Sequence, residues 1–180
     1  MTGYDQLQST LLSTPLRWLV TGGAGFIGSH VVEKLLSLGQ RVRVLDDFSF
    51  GHRRNLDAAT VTNHAALEVI EADIADPDAC ACAIGGVDHV VHLAALGSVP
   101  VPPAVMPWLS SSPPGTRNVF IAAHRAGIKG LAYASSSAVY GDDTLPRKRE
   151  DSIGKCLSPY AASKRMNEIH AQTWQSCFGL

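Results

Sequence analysis

The chain has no excess of charge of either sign: 15 Lys and Arg stand against 16 Asp and Glu, a net charge of −1. No overall field draws it to nucleic acid or to an anionic membrane surface. It lacks an apolar run long enough to span a bilayer, and Met1 to Pro15 has neither the basic start nor the apolar middle of a secretory leader. Cys80, Cys82, Cys156 and Cys177 form neither a CxxC nor a paired zinc spacing, so reduced thiols and a cytoplasmic location are expected. His89 and His92 lie three apart in an expected strand and point to opposite faces, which argues against a shared metal. The one compact basic run, Arg147-Lys148-Arg149, precedes Glu150-Asp151 and reads as a solvated turn.

What is present suits one soluble domain with a buried core: 180 residues, 46% of them hydrophobic and 17% charged. Tyr4, Leu7 and Leu11 recur at helical spacing before Pro15, which predicts a short N-terminal helix over a sheet edge in residues 1–15. From Arg17 onward, short apolar runs alternate with helical stretches. Arg17–Thr21, Arg41–Asp46, Leu67–Ala72, Asp88–Leu93 and Gly130–Ser135 read as strands, and the pattern predicts an α/β doubly wound parallel sheet, a Rossmann fold, over residues 16–180. Right-handed crossovers order the strands 3-2-1-4-5, with a ligand crevice beyond their carboxyl ends. Gly25–Leu38 is the most secure helix, with Ile27, Val31, Leu35 and Leu38 as its apolar stripe. Ser158–Cys177 is another, with Ser158 as N-cap and Pro159 in the first turn. Six prolines in residues 99–114 exclude an uninterrupted helix there.

Thr21-Gly22-Gly23-Ala24-Gly25-Phe26-Ile27-Gly28 follows the first strand and opens the first long helix. Gly22 permits the tight turn, Gly25 lets backbone approach a pyrophosphate at the helix N-terminus, and Gly28 lets the helix lie close to the strand. A bland glycine-rich turn explains one of the three. Asp46 ends the second strand 18 residues after Gly28, where a carboxylate accepts from a ribose 2′-hydroxyl and selects NAD over NADP. Arg53 and Arg54 lie near enough in sequence to compete with that reading, and a turn aspartate is the bland alternative. Asp73 and Ile74 are placed to meet the adenine, and Leu93-Ala94-Ala95 supplies small residues where backbone must approach the cofactor.

Tyr160 and Lys164 fall four apart in the second secure helix and share a face. An ammonium beside a phenol favours the phenolate, which exchanges a proton with a substrate alcohol near neutral pH.

These residues resemble the extended short-chain dehydrogenase/reductases of the NAD-dependent epimerase/dehydratase family, from the first strand to the end of the chain. The landmarks are Thr21–Gly28, Asp46-Asp47-Phe48-Ser49, Asp73-Ile74, His92-Leu93-Ala94-Ala95, Ala134–Asp142 and Ser158–Lys164. The N-terminal helix and Leu96-Gly97-Ser98-Val99-Pro100 look most like bacterial UDP-N-acetylglucosamine 4-epimerases of surface polysaccharide synthesis. The resemblance implies that Phe26, Ile27, Asp47, Phe48, Ser49 and Gly51 join the NAD site, and that Gly97, Ser98, Ser136, Ser137 and Tyr160 contact a nucleotide sugar. It also implies that Tyr160 takes the proton of the sugar 4-hydroxyl, that Lys164 binds the nicotinamide ribose, and that Ser136 hydrogen-bonds the reacting oxygen. A 4-ketosugar turns over in the site and is reduced on its other face. A homodimer is left open as a further partner.

Dehydratases of the family carry Asp-Glu after the catalytic hydroxyl residue, and the decarboxylating relatives carry a carboxylate two before the Tyr140 position. Ser137 and Ala138 occupy those places, which favours a 4-epimerase of the UDP-N-acetylglucosamine or UDP-glucose class over a dehydratase or reductase. Two departures cut the other way. The family's helix ahead of Gly115-Thr116 bears an Asn where Ser112 stands, and Pro113 and Pro114 require that helix to start late or kink. The chain also ends where such enzymes continue into a substrate domain, so a truncated epimerase is expected, with a non-catalytic NAD-binding remnant or an interaction subunit as alternatives.

Overall fold

The structure is a computed structural model that describes residues 2–95 and 107–180, with the backbone only for residues 62–64 and 107–113. Strands β1 (Arg17–Thr21), β2 (Arg41–Asp46), β3 (Leu67–Glu71), β4 (His89–His92) and β5 (Gly130–Tyr133) form one parallel sheet in the order β3-β2-β1-β4-β5. Every expected strand lies within two residues of its observed bounds, and the expected order is the observed one. Helices α1 (Gly3–Ser13), α2 (Phe26–Ser37), α3 (Asp57–Asn63), α4 (Pro77–Ile84), α5 (Pro107–Ala126) and α6 (Pro159–Phe178) complete the described elements, with short 3-10 turns between them.

Successive strand residues point to opposite faces, so both must be apolar for helices to cover both. Val20, Val42 and Val44 pack with Val32, Leu35 and Leu36 of α2 on one side. Leu19, Leu45 and Val90 pack with Ile84 of α4 and Val119 and Ala123 of α5 on the other. Each such fully buried Leu or Val contributes about 1.5–3 kcal/mol, so these two layers fix the sheet. At the far end of α6, Trp174 and Phe178 stack with His124 of α5, with ring centres 4.7–5.6 Å apart.

Three expectations are corrected. The buried stripe of α2 is Val32, Leu35 and Leu36 with Gly28 and Ser29, while Ile27 is 63% exposed and Val31 half-buried. The glycine loop turns Gly28, which has no side chain to obstruct the contact, toward the sheet, and that rotates the stripe by one residue. α1 does not cover a sheet edge. Lys34 of α2 donates to Gln8 at 2.9 Å, and Gln40 Nε2 donates to the Leu11 carbonyl at 2.6 Å. Gln40 is wholly buried, and its amide also donates to the Leu38 carbonyl and accepts from Leu16 N–H and the Trp18 indole. One satisfied amide thus ties α1 to the α2–β2 turn, as a buried polar group requires.

The third correction concerns α5, which begins at Pro107 and continues helically through Pro113 and Pro114 to Ala126. Each of those two prolines removes one bond, to the carbonyls of residues 109 and 110, and crowds the turn before it. Both lost bonds fall in the first turns. Beyond them Val119, Phe120, Ala122 and Ala123 are buried and hold the helix on the sheet. Pro114→Ala, which restores one donor within the helix, is expected to raise the unfolding free energy by about 1–3 kcal/mol. Urea midpoints of the two proteins check it, and an unchanged or lowered midpoint contradicts the cost assigned to that proline.

Candidate functional site

The carboxyl ends of β1, β2, β3 and β4 open on a groove of about 350 Å³. Its floor comes from the glycine turn. Gly22 has φ +68°, and a Cβ there would stand 2.7 Å from the Ala94 nitrogen. At Gly28 a Cβ would stand 2.1 Å from the Gly22 carbonyl oxygen. No other residue permits both approaches, because contacts under 3.0 Å force backbone to move. Gly25 is the N-cap of α2 and provides no side-chain cap, which leaves the first amides of the helix open to an anion.

The second wall is the end of β2. Asp46 is only 7% exposed, and its two oxygens accept from Ala24 N–H and Phe48 N–H, each at 2.9 Å. Asp46 thus shapes the turn, and its carboxylate, fixed by two amides with lone pairs to spare, also lines the groove. Phe48 adopts φ 56°, the left-handed region, where its N–H reaches Asp46. The Arg53 guanidinium lies 4.3 Å from the Phe48 ring centre and pairs with Glu71. Asp47 accepts from the Ser49 N–H at 3.0 Å and its hydroxyl at 2.6 Å.

Gly22, Gly25, Asp46, Asp47, Ser49 and Gly51 line the groove, as do Asp73, Ile74, Leu93, Ala94 and Ala95 opposite them. Phe26, Ile27, Gly28 and Phe48 do not. Phe26 and Ile27 stand exposed at the start of α2, and Gly28 sits beneath the loop. Leu45, Phe50 and Ala72 also line the groove and were missed. Their only signal was adjacency to Asp46, Ser49 and Asp73. Gly97 and Ser98 lie outside the described residues, and the side chain of Ser112 is likewise not described.

Beyond β5, Ser136 caps a 3-10 turn over Ser137–Tyr140, its Oγ accepting from Ala138 N–H at 3.2 Å. α6 packs on this turn. Ser158 caps α6 by accepting from Ala161 N–H at 3.1 Å, and Pro159 follows in the first turn. Tyr160 is half-buried one helical turn before Lys164, whose Nζ lies 5.9 Å from the phenol ring centre. Lys164 is only 4% exposed and donates to the Ala134 carbonyl at 3.0 Å, and burial pushes its pKa down. The Ser135 hydroxyl donates to Glu168 at 2.5 Å and is held by α6. Thr21, His92 and Thr116, joined by buried hydrogen bonds behind the groove, carried no sequence signal as a group. His89 instead stacks on Trp18 at 4.6 Å.

The family model for the NAD dependent epimerase/dehydratase family matches residues 18–180. The chain belongs to that family. Among curated relatives, the UDP-glucose 4-epimerase of Azospirillum brasilense is 37% identical over 157 residues, covering 84% of this chain and 42% of that protein. A 3β-hydroxysteroid dehydrogenase/Δ5→4-isomerase of Mycobacterium tuberculosis is 38% identical over 149 residues, covering 75% and 38%. Among solved structures, the UDP-N-acetylglucosamine 4-epimerase from Methanobrevibacter ruminantium M1 superposes with TM-score 0.84 at 34% identity, covering 93% of this chain and 53% of that one. The dTDP-glucose 4,6-dehydratase of Streptomyces venezuelae, solved with NAD bound, gives 0.83 at 35%, covering 92% and 53%. The chain thus spans about half the length of these structures, and less of the two curated relatives.

NAD is the cofactor of this family, and the groove suits it: no side chain blocks the glycine turn, a helix N-terminus lies open, and a fixed carboxylate ends β2. No helix among the described residues is long and apolar enough to cross a membrane. Gly28→Ala is expected to lower the unfolding free energy by about 1–3 kcal/mol through overpacking. Gly3→Ala, whose Cβ meets nothing within 4 Å, should change it by under ~0.5 kcal/mol. Equal urea midpoints for the two variants would contradict the close approach.

Proposed function

We propose that residues 16–180 are the NAD-binding part of a nucleotide-sugar 4-epimerase of the UDP-N-acetylglucosamine or UDP-glucose class, with residues 1–15 as a helical extension. The observation that carries this reading is the Tyr160–Lys164 pair at the start of α6, with the buried ammonium held by Ala134 O, two residues before Ser136. NAD would bind in the groove that Asp46 lines and supply reversible hydride transfer at the sugar carbon, with Tyr160 and Lys164 standing outside the lining of that groove.

The residues of the chain do the rest. Tyr160, as phenolate, removes the proton of the sugar 4-hydroxyl and later returns it. Lys164 stabilises the phenolate by its charge and binds the nicotinamide ribose. Ser136 donates to the reacting oxygen, its own backbone fixed by the 3-10 turn that it caps. Asp46 accepts from the adenosine ribose, with Asp73 and Ile74 at the adenine and the open amides of α2 at the pyrophosphate. Ser137 and Ala138 place no carboxylate beside Tyr140, which removes the acid and base that a dehydratase needs and supports epimerisation.

A second reading, a cofactor-binding subunit without catalysis, is favoured by Met166, Ile169 and Phe178, which leave apolar surface exposed along α6. The two separate in one assay, in which the purified chain with NAD is given UDP-N-acetylglucosamine or UDP-glucose and the 4-epimer is sought. Formation of the epimer, lowered about 10²–10⁴-fold by Tyr160→Phe with NAD binding retained, is the expected result. No epimer with NAD bound favours the subunit reading. Calorimetry is further expected to show tighter binding of NAD than NADP, because a 2′-phosphate meets the Asp46 carboxylate while Arg53 is engaged by Glu71. Equal affinities would remove that role from Asp46.

A further inference from the structure

Thr21 and Thr116 are fully buried, and His92 lies between them. Thr21 Oγ1 is 2.6 Å from His92 Nδ1, and His92 Nε2 is 2.9 Å from Thr116 Oγ1. Thr21 Oγ1 also accepts from Ala94 N–H at 3.2 Å. These three side chains join the end of β1, the end of β4 and the third turn of α5 behind the groove.

The proton positions follow from counting donors. An amide N–H only donates, so the Thr21 oxygen accepts from Ala94 and its own proton must find another acceptor. Among the described residues the one within reach is His92 Nδ1. Nδ1 is therefore bare, Nε2 carries the ring proton, and that proton goes to Thr116. In the imidazolium form Nδ1–H would point at the Thr21 oxygen and leave the buried Thr21 proton without an acceptor among the described residues. Burial, with the positive charge of Lys164 adding to it, also drives the His92 pKa down to about 3.

Ala94 links this chain to the groove. Its amide is the atom that a Cβ at Gly22 would strike, and Ala94 itself lines the groove beside Leu93 and Ala95. We infer that His92 is a positioning residue for the dinucleotide groove: held as the neutral Nε2–H tautomer by Thr116, it orients the Thr21 hydroxyl that fixes the Ala94 amide against the glycine turn. This rests on the NAD-binding reading only for its consequence, since the relay itself is independent of any ligand. Neither His92 nor Thr116 lines the groove.

Nitrogen-15 NMR of the histidine-labelled chain tests the relay directly, and a protonated Nδ1 in His92 overturns it. A protonated Nε2 with bare Nδ1 is expected. Thr116→Val removes the acceptor that sets the ring without touching the groove. In that variant the Ala94 amide should exchange about tenfold faster, relative to the neighbouring Leu93 amide, which bonds Thr21 O at 3.1 Å. Its NAD affinity should fall about tenfold, and Thr116→Ser should restore both. An unchanged Ala94 rate, or an equal gain in both amides as from general loosening, rejects the positioning role. If Thr116→Val does not fold, the ring nitrogens of the parent chain decide. Failure of the parent chain to bind NAD defeats the cofactor reading and leaves the relay judged by the tautomer and the Ala94 amide.

Discussion

Two stretches of backbone, the turn after β1 and the residues after β4, come closer together than side chains would allow. β1 and β4 are parallel neighbours, and the ladder runs one residue past each: Leu93 N–H reaches Thr21 O at 3.1 Å, and Gly22 N–H reaches Leu45 O at 2.9 Å. The turn is thereby pinned to both flanking strands before the chain can leave the sheet. α2 must then begin within four residues, which points its open amides over the strand ends and sets Gly28 beneath Gly22. The same geometry brings the Ala24 amide to Asp46. The open helix N-terminus and the carboxylate that lines the groove thus derive from a single packing constraint.

A second constraint lies at Lys164. Burying an ammonium costs several kcal/mol, whereas one charged hydrogen bond to a carbonyl such as Ala134 O returns about 1.5–3 kcal/mol. The balance is unfavourable to the cation unless negative charge arrives. A phenolate at Tyr160 would supply it, so the energetic strain at Lys164 and the reactivity proposed for Tyr160 are two sides of one balance. Tyr160 itself is half-buried.

The sheet was legible because its information is local. Runs such as Trp18-Leu19-Val20 and Val42–Leu45 carry the two-sided apolar pattern within a few residues, and the loop Gly22–Gly28 and the Ser158-Pro159 start of α6 carry their own stereochemistry. What was misread depends on partners distant in sequence. The stripe of α2 turned because Gly28, not Ile27, meets the glycine loop. Pro113 and Pro114 stayed in a helix because Val119, Phe120 and Ala123 anchor it from beyond. Gln40 joins segments up to 29 residues apart, and the bonds made by Thr21, His92 and Thr116 join residues up to 73 apart, from Thr21 to Ala94. Their residue types are ordinary, and only the fold gives them neighbours. Asp46 was legible as a carboxylate at the end of β2, yet its hold on two amides could not be seen without the turn.

α6 carries Tyr160 at one end and the Trp174–Phe178–His124 stack at the other. At 1.5 Å rise per residue, the phenol and the indole are separated by about 20 Å of nearly rigid rod. Its Tyr160 end is the anchored one, since Ala161, Ser163, Lys164 and Asn167 are buried while Phe178 is 53% exposed, so a tilt of about 3° about that end swings Trp174 by roughly 1 Å and leaves Tyr160 in place. A disturbance of the three aromatic rings is thus absorbed at the far end of the rod, and the phenol keeps the position that the 3-10 turn and the Ala134 carbonyl give it.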